Sequence, residues 1–243
     1  MVQPYNRNTD KKSEVRAMFN NIARNYDLLN HLLSFGIDVL WRKRLIRIIE
    51  TYEPTKVLDI ATGTADLAIM ASKAGVEMTY GIDLSENMIA VGAQKVDERK
   101  LGDRIQLQTG DAEQLPFDWH TFDAAMVAFG VRNFENLNAG LTDIYRVLKP
   151  GAPFVILEFS KPRVFPIKQL YHFYSFYILP ILGRIVSKDK RAYMYLPESI
   201  NEFPDGERFL QIMKNCGFDR LRKISLTFGI ASIYVGHTQK KLQ

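Results

Sequence analysis

The chain has 243 residues, of which 47% are hydrophobic and 24% charged, and this composition excludes a disordered or low-complexity protein. Its net charge of +5 is modest and lies in no long basic run, so the sequence does not indicate a nucleic-acid-binding protein. Cys216 is the only cysteine, which excludes an internal disulfide, and no Cys/His cluster has the spacing of a zinc site, so no metal site is expected.

The first part of the chain is predicted to be helical. Residues 1–14 are polar and lack the apolar stretch of a secretory signal, so we expect a cytoplasmic protein. Apolar side chains recur at helical spacing over residues 12–52, and Pro54 ends this pattern. The sequence therefore predicts a helical cap over residues 1–53.

Short apolar runs alternate with helical patterns from residue 54 onwards, which is typical of a parallel sheet with helices on both faces. Strands are predicted at residues 56–61, 77–84, 105–109, 122–129 and 154–159. Helices are predicted at residues 65–74, 86–100 and 137–148, the second with Ser85 as its N-cap. Residues 54–160 are therefore expected to be the ligand-binding core of a doubly wound, Rossmann-like α/β fold.

Residues 161–200 interrupt the alternation, and they are rich in aromatic residues and prolines. We interpret them as an inserted lid. Residues 170–186 are apolar, but this stretch is shorter than the roughly 20 residues of a membrane span and contains Pro180. The lid is therefore expected to lie on the surface of the domain.

Residues 201–243 are predicted to complete the sheet. A helix at residues 205–216 precedes two strand-like runs, at 221–228 and 231–238, which a tight connection joins. Such a pair predicts antiparallel strands at one end of a seven-stranded, mostly parallel sheet. The length of the chain favours one domain made of these four parts over two independent cores.

Three carboxylates follow three successive predicted strands, at the edge where a doubly wound sheet binds its ligand. Asp59 lies at the first strand-to-helix turn, Asp83 ends the second strand, and Asp111 follows the third. Asp83 in this register suits the ribose hydroxyls of an adenosine ligand, and Asp111 suits the adenine amino group. A single such acid is more often a helix cap or a solvated turn residue, whereas three in register favour a ligand site.

S-adenosylmethionine fits these acids better than a dinucleotide does. Carboxylates repel the pyrophosphate of a dinucleotide, and the turn has one glycine rather than a full G-x-G-x-x-G pattern. S-adenosylmethionine has adenine, ribose and a sulfonium cation but no phosphate, so we predict it as the cofactor. The residues predicted from this pattern to bind it are Asp59, Gly63, Thr64, Asp83, Asp111 and Ala112.

Several further motifs occur in a fixed order along the chain. They are YDLLN at residues 26–30, FGVRN at 129–133, RVLKPG at 146–151, LEFSKP at 157–162, YSFY at 174–177 and LPESI at 196–200. Together with Ser34 and Trp41, they resemble the motifs of the ubiquinone/menaquinone biosynthesis C-methyltransferase family, over about residues 15–237. The resemblance implies methylation of a ring carbon of a prenylated hydroquinone, with demethylmenaquinol favoured over its ubiquinone-pathway counterpart.

Four positions depart from the pattern of this family. Asp38 stands where relatives often have His, and Ala65 and Ala152 replace common glycines. Ala128 stands where relatives can carry a serine that contacts the cofactor. We therefore include Ala128 among the predicted cofactor-binding residues, although it has no hydroxyl group. Because Ala65 carries a Cβ atom, we expect a negative φ at this residue.

The resemblance implies that the segment after the fourth strand faces the transferred methyl group. A ring carbon is a poor nucleophile until the neighbouring hydroxyl loses its proton, so the site has to stabilise an oxyanion. We expect Arg132 to stabilise this charge, Arg132 and Asn133 to hold a water or the substrate oxygen, and Tyr26 to close over them. The alternatives are an ion pair of Arg132 with Glu158, a packing role for Tyr26, and His31 as the proton acceptor.

The lid is the predicted path of the isoprenoid tail, along residues 171–186. Its apolar and aromatic side chains lie near basic residues, and this combination suits an anionic membrane surface. The basic residues are Lys168, Arg184, Lys188, Lys190 and Arg191. We expect peripheral membrane contact, with ordinary core packing as the alternative. The sequence leaves open whether the protein forms a homo-oligomer.

Three other functions compete with this prediction. Residues 145–149 give a Y-x-x-x-K match typical of nicotinamide-dependent reductases, but the match lies at the end of a helix whose C-terminus faces away from the ligand crevice. A non-catalytic protein that keeps the fold as a scaffold is a second candidate. A methyltransferase for another lipid-like or phenolic acceptor is the third.

Overall fold

Helices make up the N-terminal part of the chain. The structure is a computed structural model that describes residues 2–7, 9–174, 177 and 190–240, with only the backbone described at residues 29, 32, 33, 190 and 193. The helices predicted within residues 12–52 are confirmed. They are α1 (Lys11–Ile22), α2 (Tyr26–Leu33) and α3 (Ile37–Glu50).

The centre of the molecule is a seven-stranded sheet with the order β3-β2-β1-β4-β5-β7-β6. Its strands are β1 (Lys56–Ile60), β2 (Met78–Asp83), β3 (Ile105–Thr109), β4 (Ala124–Ala128), β5 (Pro153–Phe159), β6 (Asp219–Leu226) and β7 (Ala231–His237). The first five strands are parallel, and β7 runs antiparallel to both of its neighbours. The predicted α/β class and the antiparallel pair at one end of the sheet are confirmed.

The remaining helices connect these strands or follow them. They are α4 (Asp66–Lys73), α5 (Glu86–Glu98), α6 (Leu137–Val147), α7 (Ile167–Phe173), α8 (Lys190–Glu202) and α9 (Glu207–Asn215). Ser85 caps α5 as predicted, because its hydroxyl accepts a hydrogen bond from the backbone N–H of Met88.

Alternate side chains of the central strands pack into two hydrophobic layers. Leu58 of β1 belongs to the layer beneath α6 and α9, whereas its neighbour Val57 belongs to the layer beneath α3 and α4. Both faces of the sheet are therefore buried, as is usual for parallel strands. This packing fixes the carboxyl ends of β1, β2 and β4 along one edge, where the site residues lie.

The turn between β1 and α4 is left-handed at several residues, and the prediction of a negative φ at Ala65 is wrong. The φ angles are +51° at Ala61, +57° at Gly63 and +65° at Ala65. A left-handed alanine costs roughly 1–2 kcal/mol, and tertiary packing offsets that cost. Ala65 is fully buried against α5, where its Cβ lies 3.2 Å from the position a Cβ would take at Gly92.

The segment predicted to be a lid is described in part. It contains α7 and most of α8, whereas residues 175, 176 and 178–189 lie outside the described residues, and with them Arg184, Lys188 and most of the apolar stretch 170–186. Across the part of the chain that is described, no helix is both long enough and apolar enough to cross a membrane.

Candidate active site

A narrow cavity of about 60 Å³ lies at the carboxyl ends of β1, β2 and β4. Five of the predicted cofactor-binding residues line it, and two do not. The five are Gly63, Asp83, Asp111, Ala112 and Ala128, whereas Asp59 and Thr64 lie outside the lining. Lys12, Val15 and Phe19 of α1 also line this cavity, which is smaller than the roughly 300–1,000 Å³ of most ligand sites.

Asp83 is the acid most firmly fixed at this cavity. One of its carboxylate oxygens accepts from the backbone N–H of Gly63 and the other from that of Ser85, both at 2.9 Å. Burial raises the pKa of Asp83 to about 6, although these two hydrogen bonds act to lower it. At neutral pH the carboxylate is therefore ionised and can accept hydrogen bonds from hydroxyl groups.

Asp59 and Thr64 stabilise the turn between β1 and α4 and do not line the smaller cavity. Asp59 is buried and accepts from the Thr62 hydroxyl at 2.6 Å, and burial raises its pKa to about 7. The Thr64 hydroxyl donates to Asp27 of α2 at 2.5 Å and accepts from Lys95 of α5 at 3.1 Å. Both side chains thus hold the turn in place, and any contact of Thr64 with a cofactor would come from its backbone.

Asp111 has a partner that sequence analysis missed. The Lys12 ammonium of α1 lies 2.5 Å from Asp111 and 3.3 Å from Glu113. An adenine amino group is also a hydrogen-bond donor, so it has to share or displace this contact. Lys12 and Asp111 are far apart in sequence and carry no periodic signal, and sequence reasoning had no means of pairing them.

A second, larger cavity of about 450 Å³ adjoins the first, because Phe19, Tyr26 and Phe129 line both. Its wall is mostly apolar and comes from α1, α2, α3, α7, α8 and the connection between β6 and β7. Tyr171 and Tyr174 of the predicted tail path line it. The contributions of α1, α3 and the β6–β7 connection were not foreseen from the sequence.

Arg132 lies in a 3₁₀ turn, Val131–Asn133, directly after β4. Its Nη1 lies 2.8 Å from the carboxylate of Glu158 and donates to the carbonyl of Phe129. Glu158 is fully buried, which raises its pKa, and the charge of Arg132 opposes this rise. The ion pair considered as an alternative for Arg132 is therefore present.

Beside this ion pair, the buried Nε of Arg132 has no hydrogen-bond partner. Four buried side-chain atoms in the described part of the chain have no hydrogen-bond partner, and they are Ser72 Oγ, Thr79 Oγ1, Arg132 Nε and His237 Nδ1. Of these residues, only Arg132 lines either of the two cavities described above. A buried donor without a partner beside an apolar cavity is suited to binding an oxygen of a ligand.

Asn133 and Tyr26 lie where the two cavities meet. Asn133 lines the smaller cavity, and its side-chain oxygen accepts from the hydroxyl of Tyr195 at 3.1 Å. Tyr26 lines both cavities and packs edge-on against Phe19, and burial raises the pKa of its hydroxyl. The packing role considered for Tyr26 is present, and its position keeps it next to Arg132.

His31 pairs with Asp38. His31 Nδ1 lies 3.0 Å from Asp38, which also accepts from the Ser34 hydroxyl at 2.5 Å and from Arg42. Burial acts to raise the pKa of Asp38, but these donors outweigh it and the pKa is lowered. Asp38 lines the larger cavity and His31 does not.

Lys149 of the Y-x-x-x-K match lies 2.5 Å from Asp123, just before β4 begins. This position is at the opposite edge of the sheet from both cavities. The reductase interpretation therefore has no support in the structure.

Comparison with known proteins adds to this geometry. The model of the ubiE/COQ5 methyltransferase family matches residues 7–238. A protein of Porphyromonas gingivalis named demethylmenaquinone methyltransferase is 46% identical over 97% of each chain. A ubiquinone/menaquinone biosynthesis C-methyltransferase UbiE of Geotalea daltonii is 43% identical over 94% of this chain and 97% of its own.

A crystal structure of an S-adenosylmethionine-dependent methyltransferase from Aquifex aeolicus has a TM-score of 0.55 at 20% identity, covering 75% of this chain and 81% of its own, and this likeness concerns the fold alone. The match to the family model spans nearly the whole chain, as do the two sequence relatives. The chain belongs to the ubiE/COQ5 methyltransferase family.

Proposed function

We propose that this protein transfers the methyl group of S-adenosylmethionine to a ring carbon of a reduced prenylated quinone, most specifically demethylmenaquinol. Family membership supports the methyl transfer and the cofactor. The printed names of the relatives support the acceptor, since two of them are demethylmenaquinone methyltransferases 44–46% identical to this chain. The alternative acceptors are the benzoquinol of the ubiquinone pathway and another lipid-like phenol.

The observation that carries the proposal is Arg132, which lines the larger cavity and has a buried Nε without a hydrogen-bond partner. Methylation of a phenolic ring carbon requires the ring hydroxyl to lose its proton, and the negative charge of the resulting quinolate lies largely on the ring oxygen. A buried donor with no protein partner, on a guanidinium that stays charged, is suited to that oxygen. The apolar wall of the same cavity suits a ring and an isoprenoid tail.

The residues of the smaller cavity fit the cofactor. Asp83 would accept from the ribose hydroxyls, Asp111 and the N–H of Ala112 would meet the adenine, and the backbone at Gly63 would approach the methionyl part. The chemistry that bound S-adenosylmethionine supplies is an electrophilic methyl group on a sulfonium. No phosphate has to be accommodated, which agrees with the carboxylates at this edge.

Arg132 and Asn133 would act on the acceptor. The guanidinium has a pKa above about 12 and stays charged, so it stabilises the quinolate rather than taking its proton. The hydroxyl proton would pass to a water held with Asn133, and the proton of the methylated ring carbon would leave by the same water to restore the aromatic ring. The Tyr26 ring would exclude bulk water from the junction. His31 is less suited to accept the hydroxyl proton, because it does not line the larger cavity.

Membrane contact is supported by exposed apolar side chains around the larger cavity. Phe35 and Phe228 are 79% and 75% exposed, yet both line this cavity, as does the exposed Leu170. They come from the turn between α2 and α3, the connection between β6 and β7, and α7. A rim of this kind would let a lipid-soluble quinol enter the cavity from a bilayer.

The function is tested by incubating the protein with methyl-labelled S-adenosylmethionine and chemically reduced demethylmenaquinone. We expect labelled menaquinone in the mass spectrum, because ring and cofactor meet at the junction of the two cavities. The benzoquinol of the ubiquinone pathway serves as the second acceptor. Label on the benzoquinol alone would reassign the acceptor, and label on neither, with cofactor binding intact, would contradict the proposal.

Arg132→Lys is expected to lower kcat by about 10²–10³-fold, because an ammonium keeps the charge beside Glu158 but lacks the Nε donor. The affinity for S-adenosylmethionine, measured by calorimetry, should stay within about twofold. Arg104→Lys is the matched control, since Arg104 donates to the carbonyl of Val76 away from both cavities. Normal turnover of Arg132→Lys would refute the role of Arg132.

Asp83→Asn is expected to weaken S-adenosylmethionine binding by about 10–100-fold. The amide places a donor against the N–H of Gly63 or Ser85, both of which now donate to the carboxylate. In the unaltered protein, affinity should fall as pH drops through about 6, because Asp83 has a pKa of about 6 and then gains a proton.

Calorimetric titrations across this pH range compare Asp83→Asn with Asp103→Asn, which removes an exposed carboxylate. The fall in affinity near pH 6 should disappear in Asp83→Asn and persist in Asp103→Asn. Persistence in both variants would assign the pH dependence to another group.

The doubly substituted variant Phe35→Asp with Phe228→Asp is expected to bind anionic lipid vesicles at least about tenfold more weakly, because two charges replace apolar side chains at the rim. Cosedimentation measures the binding. Trp119→Asp is the matched control, since Trp119 is 66% exposed and precedes β4 at the opposite edge of the sheet. Equal loss in both variants, or none in either, would argue against the rim as the membrane contact.

A further inference from the structure

A hydrogen bond crosses the junction between the two cavities. It runs from the Tyr195 hydroxyl to the side-chain oxygen of Asn133, over 3.1 Å, and Tyr195 is only 2% exposed. Tyr195 lines the larger cavity, whereas Asn133 lines the smaller one. The bond therefore connects α8, which lines the larger cavity, to the turn that carries Arg132.

The neighbours of Asn133 decide which way its amide points. The side-chain nitrogen of Asn133 lies 3.5 Å from the carbonyl of Phe129, which can only accept a hydrogen bond. The side-chain oxygen then faces Tyr195, whose hydroxyl can donate. The opposite orientation would set the amide oxygen against the Phe129 carbonyl, and two acceptors repel each other.

The contact with Phe129 is at the long limit of a hydrogen bond, so it holds the amide weakly. The bond from Tyr195 is shorter and buried, and it is the stronger constraint on Asn133. Because a hydroxyl donor fixes the oxygen of this amide, the second N–H of its –NH2 group stays available to an oxygen at the junction.

We infer that Tyr195 is a positioning residue for methyl transfer, because its hydroxyl orients the Asn133 amide that acts beside Arg132. The inference rests on the proposed function and adds a residue to it. It also gives α8 a role in catalysis, since this helix, which lines the larger cavity, carries the hydroxyl that orients the Asn133 amide.

Tyr195 acts as a neutral donor over the working pH range. Burial raises the pKa of its hydroxyl, and Glu202 and Glu158 act in the same direction, against the charge of Arg132. Removing the hydroxyl should therefore lower turnover by the same factor at every pH. A proton acceptor would behave differently, because its loss would change the shape of the pH profile.

Tyr195→Phe tests the inference, since it keeps the ring and removes the hydroxyl. We expect kcat to fall about tenfold, with KM for S-adenosylmethionine and the melting temperature nearly unchanged. In an Asn133→Ala background, Tyr195→Phe should cause no further loss, because the amide it orients is gone. Tyr145→Phe is the matched control, as this hydroxyl meets the backbone of Gln239 away from both cavities.

A second measurement needs no activity and separates this inference from the proposed function. The side-chain amide signals of Asn133 in nitrogen-15 NMR spectra can be assigned by their loss in Asn133→Ala. They should shift in Tyr195→Phe and stay in place in Tyr145→Phe. Absence of methyl transfer in the unaltered protein would refute the proposed function, and unchanged amide signals in Tyr195→Phe would refute the orienting bond.

Unchanged kcat in Tyr195→Phe would overturn the positioning role, as would losses that multiply in the double variant. A drop in melting temperature that accounts for the lost activity would also overturn it, by making Tyr195 a structural residue. A tenfold loss of kcat confined to proteins that retain Asn133, together with the amide shift, would establish it.

Discussion

The buried carboxylate of Glu158 is the constraint on which the arrangement of the site depends. It lies in β5, an interior strand between β4 and β7, and an unpaired charge at such a position costs several kcal/mol. Arg132 Nη1 and the backbone N–H of Phe159, each at 2.8 Å, donate to it. Because the sheet fixes Glu158, the pairing also fixes Arg132, which lines the larger cavity and has a buried Nε without a protein partner.

Helix α1 also contacts the turn that carries Arg132. The buried ammonium of Lys11 donates to the carbonyls of Arg132 and Phe134, while the next residue, Lys12, pairs with Asp111 at the cofactor cavity. Two adjacent lysines thus connect one helix to both parts of the site.

The sequence predicts the fold well and the site only in part, and the reason is physical. Strand and helix periods are local, so the elements of the sheet and the positions of Asp83 and Asp111 follow from them. The direction of a side chain at the end of a strand depends on tertiary contacts, which explains why Asp59 and Thr64 bond within and behind the turn rather than line the smaller cavity.

Ala65 adopts the left-handed conformation because packing against α5 outweighs its intrinsic preference. Lys12 and Tyr195 meet partners far away in sequence, and no periodic pattern marks such contacts.

Asp38 places a carboxylate in the mostly apolar wall of the larger cavity, and this charge has to be balanced. Ser34, Arg42 and His31 all donate to it, so the carboxylate stays ionised and its hydrogen-bonding capacity is largely taken up within the protein. In contrast, Arg132 keeps a donor that no protein group uses. Arg132 therefore has a donor left for an oxygen of the proposed substrate in this cavity.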